Sequence, residues 1–265
     1  MSHELESSES VLYVKHNDVA TLTLNRPKTR NAIDGEMRRA LAKTVSEIRS
    51  DRDVKVVILA GSDGAFCSGG DIRSMTSDNS AENARDRMIS LQGCIRDLSE
   101  LDRPIIAAVD GPAYGAGLGL ALTADLILAS ERARFCLSFL RLGAVPDCGV
   151  FYSLPRIVGT HIAKQLAFST REFDAQQAKD MGIVFEIQSK DNILRRAQDI
   201  ATELSKLPLA SLALTKKIFN ASLDSSMDAM FEMEAMGQGI ARSTAFHLES
   251  ANRFRNKQPL LFNGL

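Results

Sequence analysis

Asp147 is the residue in this chain best suited to move a proton. It follows Pro146 in the segment of residues 142–149. A carboxyl group among apolar side chains is partly desolvated, which raises its pKa and makes it a useful base. The alternative interpretation is an N-cap, because a helical pattern begins near Gly149 and aspartate is a favoured capping residue. The apolar residues near Asp147 in the sequence are Phe139, Leu142, Val145 and Phe151.

A glycine-rich turn is the second feature that suggests chemistry. The apolar residues 105–109, bounded by Pro104 and an Asp-Gly-Pro turn signal, predict a buried strand. A helix beginning among the small residues after this turn would point free N–H groups and its positive end at one spot, which suits a negative oxygen. The alternative is a packing turn in a tight α/β core. The small residues that let a ligand approach the backbone are Gly115, Ala116, Gly117 and Gly119.

A similar turn, residues 61–72, follows the apolar run of residues 54–60. Its small residues again predict a strand, a turn and a helix. Two turns that each offer one backbone N–H to the same oxygen form a candidate oxyanion hole. The glycine-rich turn after residues 105–109 has neither the Gly-Lys-Ser/Thr of a phosphate loop nor the acidic ribose partner of a dinucleotide site.

Three motifs follow one another in the chain: residues 66–72 (FCSGGDI), residues 106–111 (IAAVDG) leading into residues 115–117 (GAG), and residues 155–159 (PRIVG). In order and spacing they together resemble the enoyl-CoA hydratase/isomerase, or crotonase, superfamily. The resemblance extends from about Val11 to Phe262. It implies an α/β spiral of ββα units with a C-terminal helical trimerisation region. It also implies that the backbone N–H groups of Cys67 and Ala116 bind the thioester carbonyl oxygen of an acyl-CoA.

The resemblance further implies a set of acyl-CoA contacts. Residues 25–32 would lie along the CoA, with Lys28 and Arg30 near its phosphates, although two solvated loop charges are an equally good interpretation of that pair. Because CoA is part of the substrate, no separate cofactor is expected. The implied CoA contacts are Lys28, Arg30, Ala32, Ala65, Ser68, Gly69, Gly70, Asp71, Ile72, Gly115 and Gly117, and the implied acyl pocket is Gly119, Phe139 and Leu142.

The positions of the family's two hydratase glutamates are Gly119 and Phe139 in this chain. Neither side chain can carry a proton, so ordinary hydration is disfavoured. Three branches of the family place a catalytic aspartate at the position of Asp147: dienoyl-CoA isomerases, aryl-CoA dehalogenases and the ring-epoxide isomerases of phenylacetyl-CoA breakdown. The dehalogenase histidine and tryptophan would be Gln92 and Phe139, and the dienoyl isomerase needs two further acids at Gly119 and Phe139.

Residues 142–149 and 154–156 are most similar to the phenylacetyl branch. One carboxylate suffices for isomerisation, because the proton it takes from one carbon is the proton it returns to another. The sequence therefore predicts a CoA-thioester isomerase that uses Asp147. A hydratase of fatty-acid or aromatic-acid degradation, a non-catalytic acyl-CoA binder and an RNA-binding homologue are the alternatives.

Composition excludes several classes of protein. With 265 residues, 45% hydrophobic and 25% charged, the chain is typical of a soluble globular protein with one large domain and an appendage. A net charge of −1 gives no overall field for nucleic acid or anionic membrane, and the helix of residues 36–55, which binds RNA in some relatives, has a mixed charge. The four cysteines have no metal-like spacing, so no metal site is expected: Cys67, Cys94, Cys136 and Cys148.

The candidate site residues must be positioned by the alternating strands and helices of the chain. This alternation predicts an α/β fold. We expect a disordered tail at residues 1–10, a core with the acyl-CoA site at residues 11–205 and a helical oligomerisation region at residues 206–265. In that region Met227, Met230, Met233 and Met236 form a packing stripe. Residues 1–10 do not resemble a targeting peptide and residues 111–124 are too short to span a bilayer, so a cytoplasmic protein is expected. The family resemblance implies a homotrimer or homohexamer.

Several elements are predicted individually. Residues 11–14 and 19–24 form a hairpin, and Asp34 caps a helix from Gly35 to Ser50. A polar loop at residues 74–82 is expected to be mobile and to close over substrate. Further helices are predicted at residues 84–99, 150–158, 161–168, 175–181 and 193–207.

Overall fold

Two β-sheets and a series of helices build the protein. The computed structural model describes residues 9–74 and 80–265. Within those ranges the strands are β1 Val11–His16, β2 Val19–Leu24, β3 Val56–Gly61, β4 Ile105–Val109, β5 Pro112–Tyr114, β6 Leu126–Ser130, β7 Arg134–Cys136, β8 Phe173–Asp174 and β9 Glu186–Gln188. The α-helices are α1 Gly35–Ser50, α2 Ala81–Ser99, α3 Ala116–Ala121, α4 Val150–Ser169, α5 Ala175–Asp180, α6 Ile193–Ser205, α7 Leu209–Ala221, α8 Met227–Arg242 and α9 Ala245–Arg255.

The larger sheet has the strand order β1-β2-β3-β4-β6-β9. Only the β1–β2 hairpin is antiparallel, and the remaining pairs are parallel. Strand β4 is buried along its whole length, as expected for a parallel strand covered on both faces. The fold class predicted from the alternation of strands and helices is confirmed.

Helices cover both faces of this sheet. On one face, side chains of α6 such as Ile200 pack against alternate residues of the strands, among them Ile58 and Ile106. The intervening residues, such as Leu59 and Ala107, belong to the larger core shared with α1, α2 and the second sheet. The alternation of neighbouring strand residues between two cores follows from the period of two in a β-strand.

The second sheet is small and has the order β5-β7-β8. Two single bridges extend its layer toward the N-terminal part of the chain, one between Cys67 and Ala113 and one between Ile33 and Gly70. Segments that are far apart in sequence are thereby brought side by side. Strands β5, β7 and β8 have only two or three residues each, too few to form a recognisable pattern in the sequence.

Several predicted elements are confirmed. Helix α1 has the predicted bounds, and its N-cap Asp34 accepts a hydrogen bond from the Met37 N–H at 2.9 Å. The two helical patterns at residues 150–168 appear as α4, which is interrupted at Gly159 with φ 77°. The predicted closing loop at residues 74–82 falls largely on residues 75–79, which lie outside the described residues.

The predicted N-terminal tail is wrong at its last residues. Ser10 is buried, its carbonyl accepts the Asn25 N–H at 2.8 Å, and its hydroxyl donates to Glu36 at 2.9 Å. These bonds attach the chain to β2 and α1 before β1 begins. Residues 1–8 lie outside the described part of the chain.

The three C-terminal helices pack weakly on the rest of the chain. Among their described residues only Gly237 is buried. Lys216 of α7 provides one attachment, since its ammonium group donates to the Arg103 carbonyl and pairs with Asp125 at 2.8 Å. Large apolar side chains are exposed along these helices: Phe219, Leu223, Met227, Phe231, Met236, Ile240, Leu248 and Phe254.

No helix in residues 9–74 or 80–265 combines the length and the apolar character needed to cross a membrane.

Candidate active site

Asn31 holds the turn that follows β3. It is fully buried with φ 58°, in the left-handed region that asparagine tolerates better than most residues. Its amide donates to the carbonyls of Ser62 at 3.0 Å and Ala65 at 2.7 Å. Its Oδ1 accepts the Arg26 N–H at 2.8 Å. This one side chain therefore fixes the turn to the segment between β2 and α1.

Arg26 and Ser68 reinforce the same connection. The Arg26 guanidinium pairs with Asp34 at 2.9 Å and with Asp71 at 3.0 Å, so it joins the start of α1 to the end of the turn. The Ser68 N–H donates to the Arg30 carbonyl, and the Ser68 hydroxyl donates to the Thr29 carbonyl, both at 2.9 Å. The sequence pattern did not reveal these roles, because each partner lies on a different segment.

The Cys67 N–H is already used within the fold. It donates to the Pro112 carbonyl at 3.0 Å, and the Cys67 carbonyl accepts the Tyr114 N–H at 2.9 Å. Both bonds belong to the bridge between this turn and β5. The prediction that the Cys67 N–H binds a substrate oxygen is therefore wrong for this structure, because a backbone N–H makes one strong bond.

Gly70 provides the alternative donor on the same turn. Ile33 donates to the Gly69 carbonyl at 2.8 Å and accepts the Asp71 N–H at 2.9 Å. Since N–H groups alternate in direction along an extended segment, the Gly70 N–H points away from Ile33. Gly70 is also exposed, whereas Cys67 is fully buried. From the sequence alone, Gly70 could have been identified as the donor only if the pairing of this segment with Ile33 had been known.

The glycine-rich turn lies directly against the first one. Gly115 has φ 51°, and its N–H donates to the Cys136 carbonyl at 2.8 Å, after which Ala116 begins α3 as predicted. A Cβ on Gly69 would lie 3.0 Å from the Tyr114 carbonyl oxygen and 3.7 Å from the Ala116 nitrogen. The glycines thus allow the two turns to approach closely, and the Gly70 and Ala116 N–H groups belong to one small region.

Asp147 carries a partly buried carboxyl group. Its Oδ1 is buried and has no hydrogen-bond partner among the described residues. Burial raises the pKa of Asp147 above its ordinary value, and the neighbouring Cys148 side chain acts in the opposite direction. The alternative interpretation as an N-cap is wrong, because Gly149 is the N-cap of α4 and no side chain caps this helix.

The expected apolar surroundings of Asp147 are only partly formed. Phe139 is buried, and its ring lies 3.8 Å from the position of a Cβ on Gly115. Leu142 and Phe151, in contrast, are 65% and 66% exposed, and Val145 is equally exposed. Within one chain these three side chains do not enclose the carboxyl group, so its burial has another source.

Cys148, the next residue, packs against α3. It is buried with φ 50°, and its Cβ lies 2.5 Å from where a Cβ on Gly119 would be. A side chain at position 119 would also meet the Cys148 carbonyl oxygen at 2.9 Å. Because Gly119 lies one helical turn after Ala116, the segment with Asp147 packs on the helix that begins at the glycine-rich turn.

The predicted cations lie beside this region. Lys28, in a short 3-10 helix at Pro27–Thr29, and Arg30, with φ 51°, are both exposed. Arg30 lines an open cavity of about 340 Å³ together with Asp63, Gly64, Ala65, Pro112, Tyr114 and Arg134. Sequence analysis did not single out Arg134, which reaches this cavity only through the pairing of β7 with β5.

The remaining predicted contact residues fall on the same two turns or next to them. Ala32 and Ala65 are buried, Ile72 is exposed, and Asp71 is paired with Arg26. Gly117 packs on the first turn, since a Cβ there would lie 2.3 Å from the Cys67 carbonyl oxygen. Among residues 9–74 and 80–265, no group of three or more His, Cys, Asp or Glu side chains is arranged to hold a metal ion.

The chain is similar to proteins of a known family. Residues 14–264 match the enoyl-CoA hydratase/isomerase family model. The 1,2-epoxyphenylacetyl-CoA isomerase of Escherichia coli is 32% identical over 97% of this chain and 99% of the relative. The short-chain-enoyl-CoA hydratase of Clostridium acetobutylicum is 32% identical over 95% of this chain and 96% of the relative.

A solved structure of the same family has the same fold. The enoyl-CoA hydratase/isomerase of Cupriavidus metallidurans superimposes with a TM-score of 0.93, at 40% identity and with 98% of each chain covered. The match extends across both turns and the C-terminal helices. The chain therefore belongs to the enoyl-CoA hydratase/isomerase family, within the crotonase superfamily that its three motifs resemble.

Proposed function

We propose that this protein is an acyl-CoA isomerase in which Asp147 is the single proton carrier. The observation that supports this most directly is the buried Asp147 Oδ1, which has no partner among the described residues. Leaving a carboxylate oxygen desolvated and unpaired costs stability, so such a group is a functional-site candidate. A base with a raised pKa is also better matched to removing a carbon-bound proton.

In the proposed reaction the thioester carbonyl oxygen of the substrate accepts hydrogen bonds from the Gly70 and Ala116 N–H groups. Asp147 removes a proton from the carbon next to the carbonyl or from the γ carbon. The negative charge moves to the carbonyl oxygen, where the two N–H groups stabilise it. Asp147 then returns the proton to the other carbon, so the double bond moves and no atom is gained or lost.

The packing at Gly119 favours one carboxylate over two. Cys148 fills the space that a side chain at position 119 would need, so a glutamate there would displace the Asp147 segment. Phe139, at the other position where the family's hydratases carry glutamate, is apolar and buried. Adding water calls for one group to activate the water and another to manage the α proton, which this pair of positions does not provide.

Hydration is the second candidate, because relatives of similar identity are named hydratases. A lone Asp147 would then have to activate water. The proposed acyl group is an enoyl chain or a ring-containing group, and the name of the Escherichia coli relative suggests a ring epoxide as one substrate to test. RNA binding gains no support from residues 36–55, where Arg49 and Arg52 pair with Asp97 and Asp102.

The proposed substrate contacts beyond the reacting atoms are those of the two turns and of the exposed cations. Lys28 and Arg30 are suitably placed to meet CoA phosphates, since both are exposed beside the first turn. Phe139 would form part of the acyl pocket next to Gly115. We further propose that the protein acts in the cytoplasm without a separate cofactor, as a homotrimer or homohexamer assembled through residues 206–265.

The test uses purified protein with a 3-enoyl-CoA and, separately, a 2-enoyl-CoA in deuterated water. Mass spectrometry follows deuterium uptake, and the position of the double bond is followed in the same samples. We expect double-bond migration with wild-type protein and a loss of about 10²-fold or more in Asp147→Asn, since a positioned base contributes about that much. Affinity for the CoA thioester, measured by calorimetry, should stay within about threefold because the oxyanion turns are unchanged.

Asp199→Asn, an exposed aspartate of α6, is the matched control and should behave like the wild type. A fully active Asp147→Asn variant would overturn the assignment of the base. Formation of a hydroxyacyl product would instead identify a hydratase with one carboxylate. Binding without any reaction of either substrate or of a ring epoxide would favour an acyl-CoA binder.

A further inference from the structure

We propose that Cys148 is a positioning residue for Asp147 and that Gly119 is the residue that makes room for it. This inference rests on the proposed function. It states how the lone carboxylate is held at the site, and why position 119 excludes any larger side chain. The pair would therefore determine which reaction this site supports.

The limited space around Gly119 is the first observation that supports this proposal. A Cβ there would lie 2.5 Å from the Cys148 Cβ, 2.9 Å from the Cys148 carbonyl oxygen and 3.1 Å from Val150 Cγ2. Contacts this short with backbone atoms require the neighbouring segment to move. Any side chain at position 119 must therefore displace the residues that follow Asp147, and with them the carboxyl group.

The backbone conformation of Cys148 is the second observation that supports it. Its φ of 50° lies in the left-handed region, which is unfavourable for a residue with a side chain. Gly149, the next residue, has φ 73°, and a Cβ there would lie 3.4 Å from Ile95 of α2. Two consecutive left-handed residues turn the chain sharply between Asp147 and α4. Strain of this kind persists where the surrounding structure over-determines it, often at functional sites.

The buried thiol of Cys148 is the third observation. Cys148 is buried beside the Asp147 carboxyl group, and burial and that neighbour raise the pKa of the thiol well above its ordinary value. A neutral thiol can donate its hydrogen to the carboxylate, which favours the ionised form of Asp147. The other titratable groups near Cys148 are also thiols, Cys67 of the first turn and Cys94 of α2. Among the described residues, no charged side chain contributes to the shift of Asp147.

The packing test uses Gly119→Ala, with Cys148→Gly as the compensating change. Displacing a catalytic group by about 1 Å costs on the order of 10²-fold, so Gly119→Ala should lower kcat by about that factor while KM stays within about threefold. Cys148→Gly removes the shortest of the three contacts, the Cβ at 2.5 Å, and fits the left-handed backbone, but it also removes the thiol. The double variant is therefore compared with Cys148→Gly alone, and Gly119→Ala should cost at least about tenfold less kcat in that background than in the wild type.

The thiol test compares Cys148→Ala with Cys148→Ser. Activity requires ionised Asp147, so the rate rises with pH through the pKa of this group. Losing the donor in Cys148→Ala raises that pKa, and the acid limb of the pH profile of kcat/KM should move to higher pH. Cys148→Ser keeps a donor, and its acid limb should stay at or below the wild-type position.

A measurement that needs no turnover separates this inference from the proposed function. The carboxyl carbon of Asp147 is titrated by NMR in wild-type, Cys148→Ala and Cys148→Ser protein labelled with ¹³C-aspartate, with Asp147→Asn used to assign the signal. A higher midpoint only in Cys148→Ala supports the positioning role even if the substrate proves to be different. Unchanged midpoints in both variants would overturn the role of the thiol, as wild-type kcat in folded Gly119→Ala would overturn the packing role.

Discussion

At Gly70 and Ala116 the proposed chemistry depends on backbone N–H groups, so most side-chain substitutions leave the donors in place. Space is limited at the neighbouring residue Gly69, because a Cβ there would lie 3.0 Å from the Tyr114 carbonyl oxygen of the second turn. Asp147 differs from these positions, since its function depends on the side chain and on the removal of water from around it. The same turn region therefore combines positions that tolerate chemical change with one that does not.

Replacing Ala116 by proline tests the donor directly. Ala116 is the first residue of α3, where proline is compatible with helical geometry. Gly115 before it does not have the helical conformation that a following proline disfavours. We expect Ala116→Pro to lower kcat by about 10²–10³-fold, the usual cost of removing one oxyanion donor.

Ala116→Gly is the control for this substitution because it keeps the N–H. It costs about 1 kcal/mol in the free energy of unfolding, as glycine does in a helix, with a much smaller loss of kcat. Steady-state kinetics and urea unfolding of both variants provide the measurement. Equal losses of kcat in the two variants would mean that the Ala116 N–H is not a donor to the substrate.

At the scale of elements, the segment between β2 and α1 acts as a brace for the first turn. The Asn31 side chain makes four hydrogen bonds to two different segments, and Arg26 connects the start of α1 with the end of the turn. The small sheet then aligns this turn with the glycine-rich turn through the bridge at Cys67. The proposed oxyanion donors are thus positioned by three connections between different segments of the chain.

Asn31→Gly isolates the hydrogen bonds of this brace. Glycine adopts φ 58° without strain, so the change removes the side-chain bonds and leaves the backbone conformation accessible. Two carbonyl groups lose their amide partner, and we expect a loss of about 2–4 kcal/mol in the free energy of unfolding, measured with urea. Activity should fall as well, because the first turn is no longer held.

Asn17→Gly is the matched control. Asn17 has φ 51° in the exposed turn of the β1–β2 hairpin, and no side-chain hydrogen bond of it is found among the described residues. Its replacement should change the free energy of unfolding by less than about 1 kcal/mol. Similar losses in the two variants would mean that conformational entropy, rather than hydrogen bonding, explains the effect at Asn31.

At the scale of the whole molecule, α7, α8 and α9 present apolar side chains that one chain does not cover. Phe231 and Phe254 are 57% and 74% exposed, and the methionine stripe of α8 is only partly packed. Large exposed apolar patches mark interaction surfaces in soluble proteins. The family resemblance makes another copy of this chain the expected partner.

Phe231→Glu together with Phe254→Glu tests this assembly. We expect the wild type to elute as a trimer or hexamer in size-exclusion chromatography with light scattering, and the double variant to dissociate toward the monomer because two charges would be buried. Val14→Glu, at a comparably exposed residue of β1, should leave the assembly unchanged. A wild-type monomer at micromolar concentration would contradict the proposed oligomer.

Local sequence was sufficient to predict the elements that are stabilised mainly by residues close in sequence. The periodicity of α1 and its cap at Asp34, the alternation in β2 and the small residues of both turns each have their physical cause within a few neighbouring residues. The family motifs likewise depend on order and spacing, which are properties of the chain itself. The sequence alone therefore determined the fold class, the family, the two turns and the candidate base Asp147.

Tertiary structure decided the features that depend on partners distant in sequence. Whether an N–H is free depends on which carbonyl lies opposite, so only the bridge to β5 revealed that Cys67 is occupied and that Gly70 is available. The packing of Cys148 against Gly119 and the brace at Asn31 have the same origin. Long-range pairing and steric fit act between residues that no local pattern relates, which is why the identity of the oxyanion donor and the surroundings of Asp147 could not be obtained from the sequence.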